Sequence, residues 1–79
     1  MDKKELRARE VIETIISNHF ETSEFTDKTR IAADFGADSL DGVEILMDIE
    51  DAFDIYIEDE EAASMSTVGE LIKYVITRI

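Results

Sequence analysis

The chain has 79 residues, 44% hydrophobic and 35% charged, with 20 carboxylates against 8 lysines and arginines and a formal net charge of -12; a length of this order predicts one small domain, residues 1–79. The charge excludes nucleic acid and anionic membrane surfaces, because phosphate binding needs clustered lysine and arginine. The absence of cysteine excludes disulfides, thiolate metal sites and thiol nucleophiles, so any thioester chemistry needs sulfur from outside the polypeptide.

Ala8, Val11, Ile12, Ile15 and Ile16 recur at the spacing of one helical face, with Asp2 and Glu5 placed as a capping pair. A first helix is predicted over residues 3–18. From His19 to Asp38 the period dissolves into turn-forming residues, so a long loop is expected, pinned by Phe20, Phe25, Ile31 and Phe35. A loop of that length in a compact domain hides a helical turn or serves a site. The second helix starts at Asp38 or Ser39 and runs to Phe53. After an extended link at residues 54–57, residues 59–64 form a short third helix with acids at its N-terminus. Thr67 and Glu70 have the capping-box spacing, and Val68, Leu71, Ile72, Val75, Ile76 and Ile79 make the most regular apolar face in the chain, that of the last helix. With no period-two alternation, no proline and no Asn-Gly turn, the predicted fold is all-α, a small antiparallel four-helix bundle of three main helices and one short one.

Eleven carboxylates and no lysine or arginine lie between Asp38 and Glu61. Four of them, Asp41, Glu44, Asp48 and Asp51, fall within an arc of about 80° on the second helix. Ordinary solvated faces interleave both signs, and like charges at this spacing repel each other. A cationic partner is the natural reason for such a stripe. Clustered carboxylates also attract hard cations, but no Asp-x-Asp-x-Asp-Gly loop with a closing glutamate can be drawn, so a divalent-cation-binding helical protein is the alternative from another class, with diffuse binding and no defined metal site. Ser39, at the head of this helix, could be a plain first-turn residue behind an Asp38 cap. As a nucleophile with His19 as base it would lack the Gly-x-Ser-x-Gly elbow and any deep pocket, so no catalytic residue is expected.

The run Gly36-Ala37-Asp38-Ser39-Leu40-Asp41, followed by Val43-Glu44 and Glu50-Asp51-Ala52-Phe53, closely resembles the acyl carrier proteins of dissociated fatty-acid or polyketide synthesis. The similarity is strong from Asp34 to about Val75, including residues 57–62 and Ser66-Thr67-Val68, and thins to pattern in helix one and the long loop. It implies a non-catalytic carrier in which Ser39 receives 4'-phosphopantetheine from coenzyme A as a phosphodiester, through a separate phosphopantetheinyl transferase. The arm's thiol, the external sulfur that a cysteine-free chain requires, would then present acyl thioesters to enzymes of fatty acid biosynthesis. Polyketide, aminoacyl and D-alanyl cargoes stay open. A phosphodiester at a helix N-terminus meets free backbone N–H groups and the positive end of the dipole, and Gly36 eases the bend into that helix.

The family's docking acids, which face basic patches on partner enzymes, map onto Asp38, Asp41, Glu44, Glu50, Asp51 and Asp59, with Asp48 an extra acid on the same stripe. Val43, Met47, Phe53, Ile57, Ala62, Leu71 and Ile72 are most simply core, and in the family the equivalent interior opens to sheath the acyl chain. Three positions depart from the family's habit: Gly42 where a larger residue is usual, Phe35 for leucine, and Glu58 for the proline before the short helix. No run of apolar residues is long enough to span a bilayer and the N-terminus lacks the apolar segment of a secretory signal. The expectation is a cytoplasmic monomer with no stable membrane association.

Overall fold

A computed structural model describes residues 2–79. Five helices follow one another, α1 Lys3–Phe20, α2 Ile31–Phe35, α3 Ser39–Phe53, α4 Asp59–Ser64 and α5 Val68–Arg78, with no strand among the described residues. The all-α bundle is as expected, and the helical turn hidden in the long loop is α2. It forms because the Asp34 carboxylate accepts from the Arg30 N–H at 2.7 Å while Ile31 and Phe35, four residues apart, turn inward together. Five residues are too few for a helical period to show in sequence.

The core is the sum of three apolar faces. Ala8, Ile12 and Ile16 of α1, Ile45 and Ile49 of α3, and Val68, Leu71, Ile72 and Val75 of α5 are all buried, and Ile57 joins them from the link before α4. Each fully buried aliphatic side chain contributes about 1.5–3 kcal/mol. α1 lies between α3 and α5 and packs on both. It starts where the Asp2 carboxylate accepts from the Glu5 N–H at 2.7 Å. It stops two residues later than the sequence suggests, at Glu21, whose left-handed backbone (φ 54°) lets the Glu21 and Thr22 N–H groups both donate to the Ser17 carbonyl, a Schellman-type end made without glycine. His19 therefore sits on the last helical turn. None of the helices is long and apolar enough to cross a membrane.

The connection from α1 to α2 is held by its two ends and its middle. Phe20 and Phe35 stack with ring centroids 4.4 Å apart, and Phe25 meets Phe35 edge-on at 5.8 Å. Arg9 of α1 forks onto Asp27, with bonds of 2.7 and 2.9 Å to its two oxygens. The backbone of residues 27–31 is then tied to the start of α5: Gly69 N–H donates to the Asp27 carbonyl at 2.9 Å, Val68 N–H to the Thr29 carbonyl at 3.1 Å, and Ile31 N–H to the Ser66 carbonyl at 2.9 Å.

The link from α3 to α4 is fixed differently. Asp54 ends α3 in a left-handed conformation (φ 54°), and the Glu50 carboxylate reaches back to accept from the Ile57 N–H at 2.8 Å, which sets the Ile57 side chain into the core. α4 is clasped to α5 by Arg78, bonded to both oxygens of Glu61 at 2.7 and 2.8 Å and lying 4.8 Å over the Tyr74 ring.

Two glycines make opposite predictions. A β-carbon on Gly69 would sit 3.0 Å from both the β-carbon and the carbonyl oxygen of Asp27, whereas one on Gly42, inside α3, would meet nothing within 4 Å. Gly69→Ala is expected to lower stability in urea unfolding by about 1–3 kcal/mol through overpacking against backbone, and Gly42→Ala to raise it by up to about 1 kcal/mol through helix propensity. The Arg9 fork also has a pH signature. Its hydrogen bonds hold the Asp27 carboxyl below its ordinary value of 3.8, so this contribution is fully present above that value and is lost as pH falls through the lowered one. In unfolding measured over a pH series, the stability difference between the native chain and Asp27→Asn should be constant near neutrality and close only below about pH 4.

Candidate functional site

The N-terminus of α3 is built by a reciprocal pair of carboxylates. Asp38, with extended backbone (φ -92°, ψ -176°), accepts from the Asp41 N–H at 3.0 Å, and Asp41 accepts in return from the Asp38 N–H at 3.1 Å. α2 ends immediately before this at Gly36, whose φ of 68° reverses the chain in a conformation that costs other residues more. Ser39 is thereby the first helical residue, exposed, with no hydrogen-bond partner for its hydroxyl among the described residues. The Ser39 and Leu40 N–H groups likewise have no backbone acceptor there, while the Gly42 N–H already reaches the Asp38 carbonyl. These are orphan donors at the positive end of a fifteen-residue helix. An exposed hydroxyl beside two free N–H groups suits a phosphodiester, so the residues present fit the group that the serine is expected to carry.

Nothing in the sequence around His19 marks it for this site, yet it completes the corner. Its Nε2 lies 2.8 Å from Asp41 Oδ1 and its Nδ1 3.9 Å from Glu44 Oε2. The Asp41 carboxyl is held below the usual aspartate range, first by this contact and second by the Asp38 N–H. Since this joins the end of one helix to the start of another 22 residues later, no local pattern could have announced it.

The seven expected docking acids divide into four groups. Asp48, Asp51 and Asp59 are exposed with no bonding partner among the described residues, Glu44 is exposed near His19, and Asp38 and Asp41 serve the helix cap while remaining at the surface. Glu50 differs: its carboxylate is half-buried and committed to the Ile57 N–H, so its structural task comes before any role at a partner surface.

The expected cavity residues need correction. Val43 and Met47 are 51% and 56% exposed and, with Leu40 at 63%, form an apolar strip outside the bundle. The reason is angular. At 100° per residue these three lie roughly 140–180° round the helix from the middle of Ile45 and Ile49, which are the residues that face α1, and they border the acidic stripe instead. Ile57 and Ile72 are closed core, and Phe53 sits at the far end of α3 with the Arg7 guanidinium 5.8 Å above its ring. A pocket of about 310 Å³ lies between α2, α3 and α4, beside the start of α3; Phe53 lines a separate cleft with Lys3, Arg7 and Ile79. Of the seven expected residues, Ala62 and Leu71 line the pocket beside α3; Ile31, Ile45, Leu46 and Met65 supply most of its remaining apolar bulk, and Ala37, Asp38 and Gly42 reach it from the Ser39 end.

Against known proteins, the family model described as the phosphopantetheine attachment site matches residues 9–75. The chain is 46% identical over 59 residues to an acyl carrier protein of Exiguobacterium sp. strain AT1b, covering 75% of each, and 44% identical over 54 residues to one of Wolinella succinogenes, covering 68% of this chain and 71% of that protein. The solved structure of the acyl carrier protein from Enterococcus faecalis superposes with a TM-score of 0.83 at 32% identity, over 95% of this chain and 98% of that one. With an exposed serine at a capped helix start, an acid face and a family match over most of its length, this chain belongs to the acyl carrier proteins, non-catalytic carriers that work with partner enzymes through a covalent 4'-phosphopantetheine.

Proposed function

We propose that Ser39 bears the arm and that the chain carries acyl intermediates of fatty acid biosynthesis, as a cytoplasmic monomer of a single domain. The observation that carries this reading is the position of Ser39: exposed, unpaired, at the N-terminus of α3 and one residue from Asp38 and three from Gly42, both of which reach the pocket. An acyl chain on an arm rooted there can fold back into a space lined mostly by apolar groups. That lining supports an apolar acyl cargo over an aminoacyl or D-alanyl one, which has little apolar surface to bury there. Asp38 and Ser66 are the polar residues in its lining.

Partner enzymes, the phosphopantetheinyl transferase among them, dock in this reading on the outer side of α3. Asp48, Asp51 and Glu44 supply a field that speeds encounter with a basic patch, and rim charges of this kind do so without making release slow. Leu40, Val43 and Met47, apolar and exposed beside the acids, give such a partner a surface to desolvate once it has arrived.

Incubation with coenzyme A and a broad-specificity phosphopantetheinyl transferase should add one arm, seen in the intact mass, and Ser39→Ala should add none; an equal adduct on the alanine variant, or none on the native chain, refutes the assignment. For docking, Glu44, Asp48 and Asp51 changed together to lysine leave the helix cap intact. The modification rate at low salt should fall by about tenfold or more with unchanged helical content by circular dichroism, and the gap should narrow as salt screens the native face.

A further inference from the structure

His19, Asp41 and Glu44 bring donor atoms within 4.8 Å of one another, from the last turn of α1 and the first two turns of α3. The imidazole is well held. It is 17% exposed, its ring meets Phe20 edge-on at 4.8 Å, and the Asp41 carboxylate beside it is itself fixed through the helix cap. At 2.8 Å from Asp41 Oδ1 the Nε2 nitrogen is in hydrogen-bond contact with a carboxylate, which favours the tautomer that keeps its proton there. Nδ1 is then the nitrogen left with a free lone pair, 3.9 Å from Glu44 Oε2. That gap is too long for a hydrogen bond, but an ion with bonds of about 2.0–2.1 Å to nitrogen and oxygen bridges it after a shift of a few tenths of an ångström. Imidazoles that bind a metal through one nitrogen characteristically give the other N–H to a carboxylate, which orients the ring and raises its basicity.

We propose that His19 Nδ1 and Glu44 form a binding site for a borderline divalent cation of the zinc type, with Asp41 as the positioning residue behind the ring and water completing the coordination. The imidazole distinguishes it from diffuse attraction of calcium or magnesium to the acid stripe, since those ions take oxygen ligands. The bound ion joins the end of α1 to the start of α3 two turns or less from Ser39.

Zinc titrated into the full chain, followed by calorimetry and by the ¹⁵N signals of the His19 ring, tests this. One equivalent should bind and shift Nδ1 far more than Nε2. His19→Gln, which can still hydrogen-bond Asp41, and Glu44→Gln should each weaken binding by about tenfold or more, while Asp48→Asn leaves it unchanged. Asp41→Asn should move the Nε2 signal and weaken zinc less than loss of Glu44. Equal affinity in His19→Gln, ring signals that zinc does not move, or displacement of zinc by equimolar calcium overturns the site, and the last two are read on the native chain, where no folding defect intrudes.

Discussion

Three backbone hydrogen bonds between residues 27–31 and Ser66–Gly69 hold the two irregular segments of the chain together, and the site depends on them. α2 is too short to be stable alone. It is presented to α3 because Ile31 N–H is anchored on Ser66 at one end and Gly36 reverses the chain at the other. The same bonds fix where α5 begins, hence where the apolar face of Val68, Leu71, Ile72 and Val75 meets α1. Gly69 matters for that reason: a β-carbon there would crowd the Asp27 carbonyl oxygen at 3.0 Å and push the two segments apart by a few tenths of an ångström. A sheet would share such backbone pairing over many residues; here a single bridge between Arg30 and Thr67 and its neighbours do the work.

α3 is three-sided. One side, Ile45 and Ile49, is core; a second is the run of acids; a third is the exposed strip of Leu40, Val43 and Met47. The charges are thus kept away from the apolar interior without being dispersed, and their mutual repulsion acts along the surface, where water and salt screen it. The eight lysines and arginines lie outside residues 38–61, and three of them tie structure together: Arg9 holds the loop, Arg30 pairs with Asp34 of α2, and Arg78 clasps α4. Segregation of this kind gives the molecule a directional field in addition to its net charge.

Much of this was legible in sequence. The helices with strong caps and regular faces, α3 and α5, begin where Asp38-Ser39 and Thr67-Val68 say they should, because capping is a local interaction between residues three apart. The serine and the acid stripe were likewise visible, since both are matters of residue type and spacing. What could not be read is whatever depends on distant partners. Val43 and Met47 are apolar and helical, but their side of α3 is decided by where α1 packs. Glu50 looks like one more surface acid until the link folds Ile57 N–H onto it. His19 has no local signature at all, and α2 is a product of tertiary anchoring more than of propensity.

The pocket wall has a further consequence. Much of it is made of small side chains, Ala32, Ala37, Gly42, Ala62 and Ala63, set against a core that is otherwise closed. Empty apolar space lowers stability, and substitutions that fill it commonly raise it. Selection for a tougher fold alone would therefore plug this space one methyl group at a time, with no change in the helices, the cap or the exposed serine. Under the proposed function, thermal robustness and cargo capacity are competing demands on the same 310 Å³, and melting temperature alone does not rank the variants that still carry cargo.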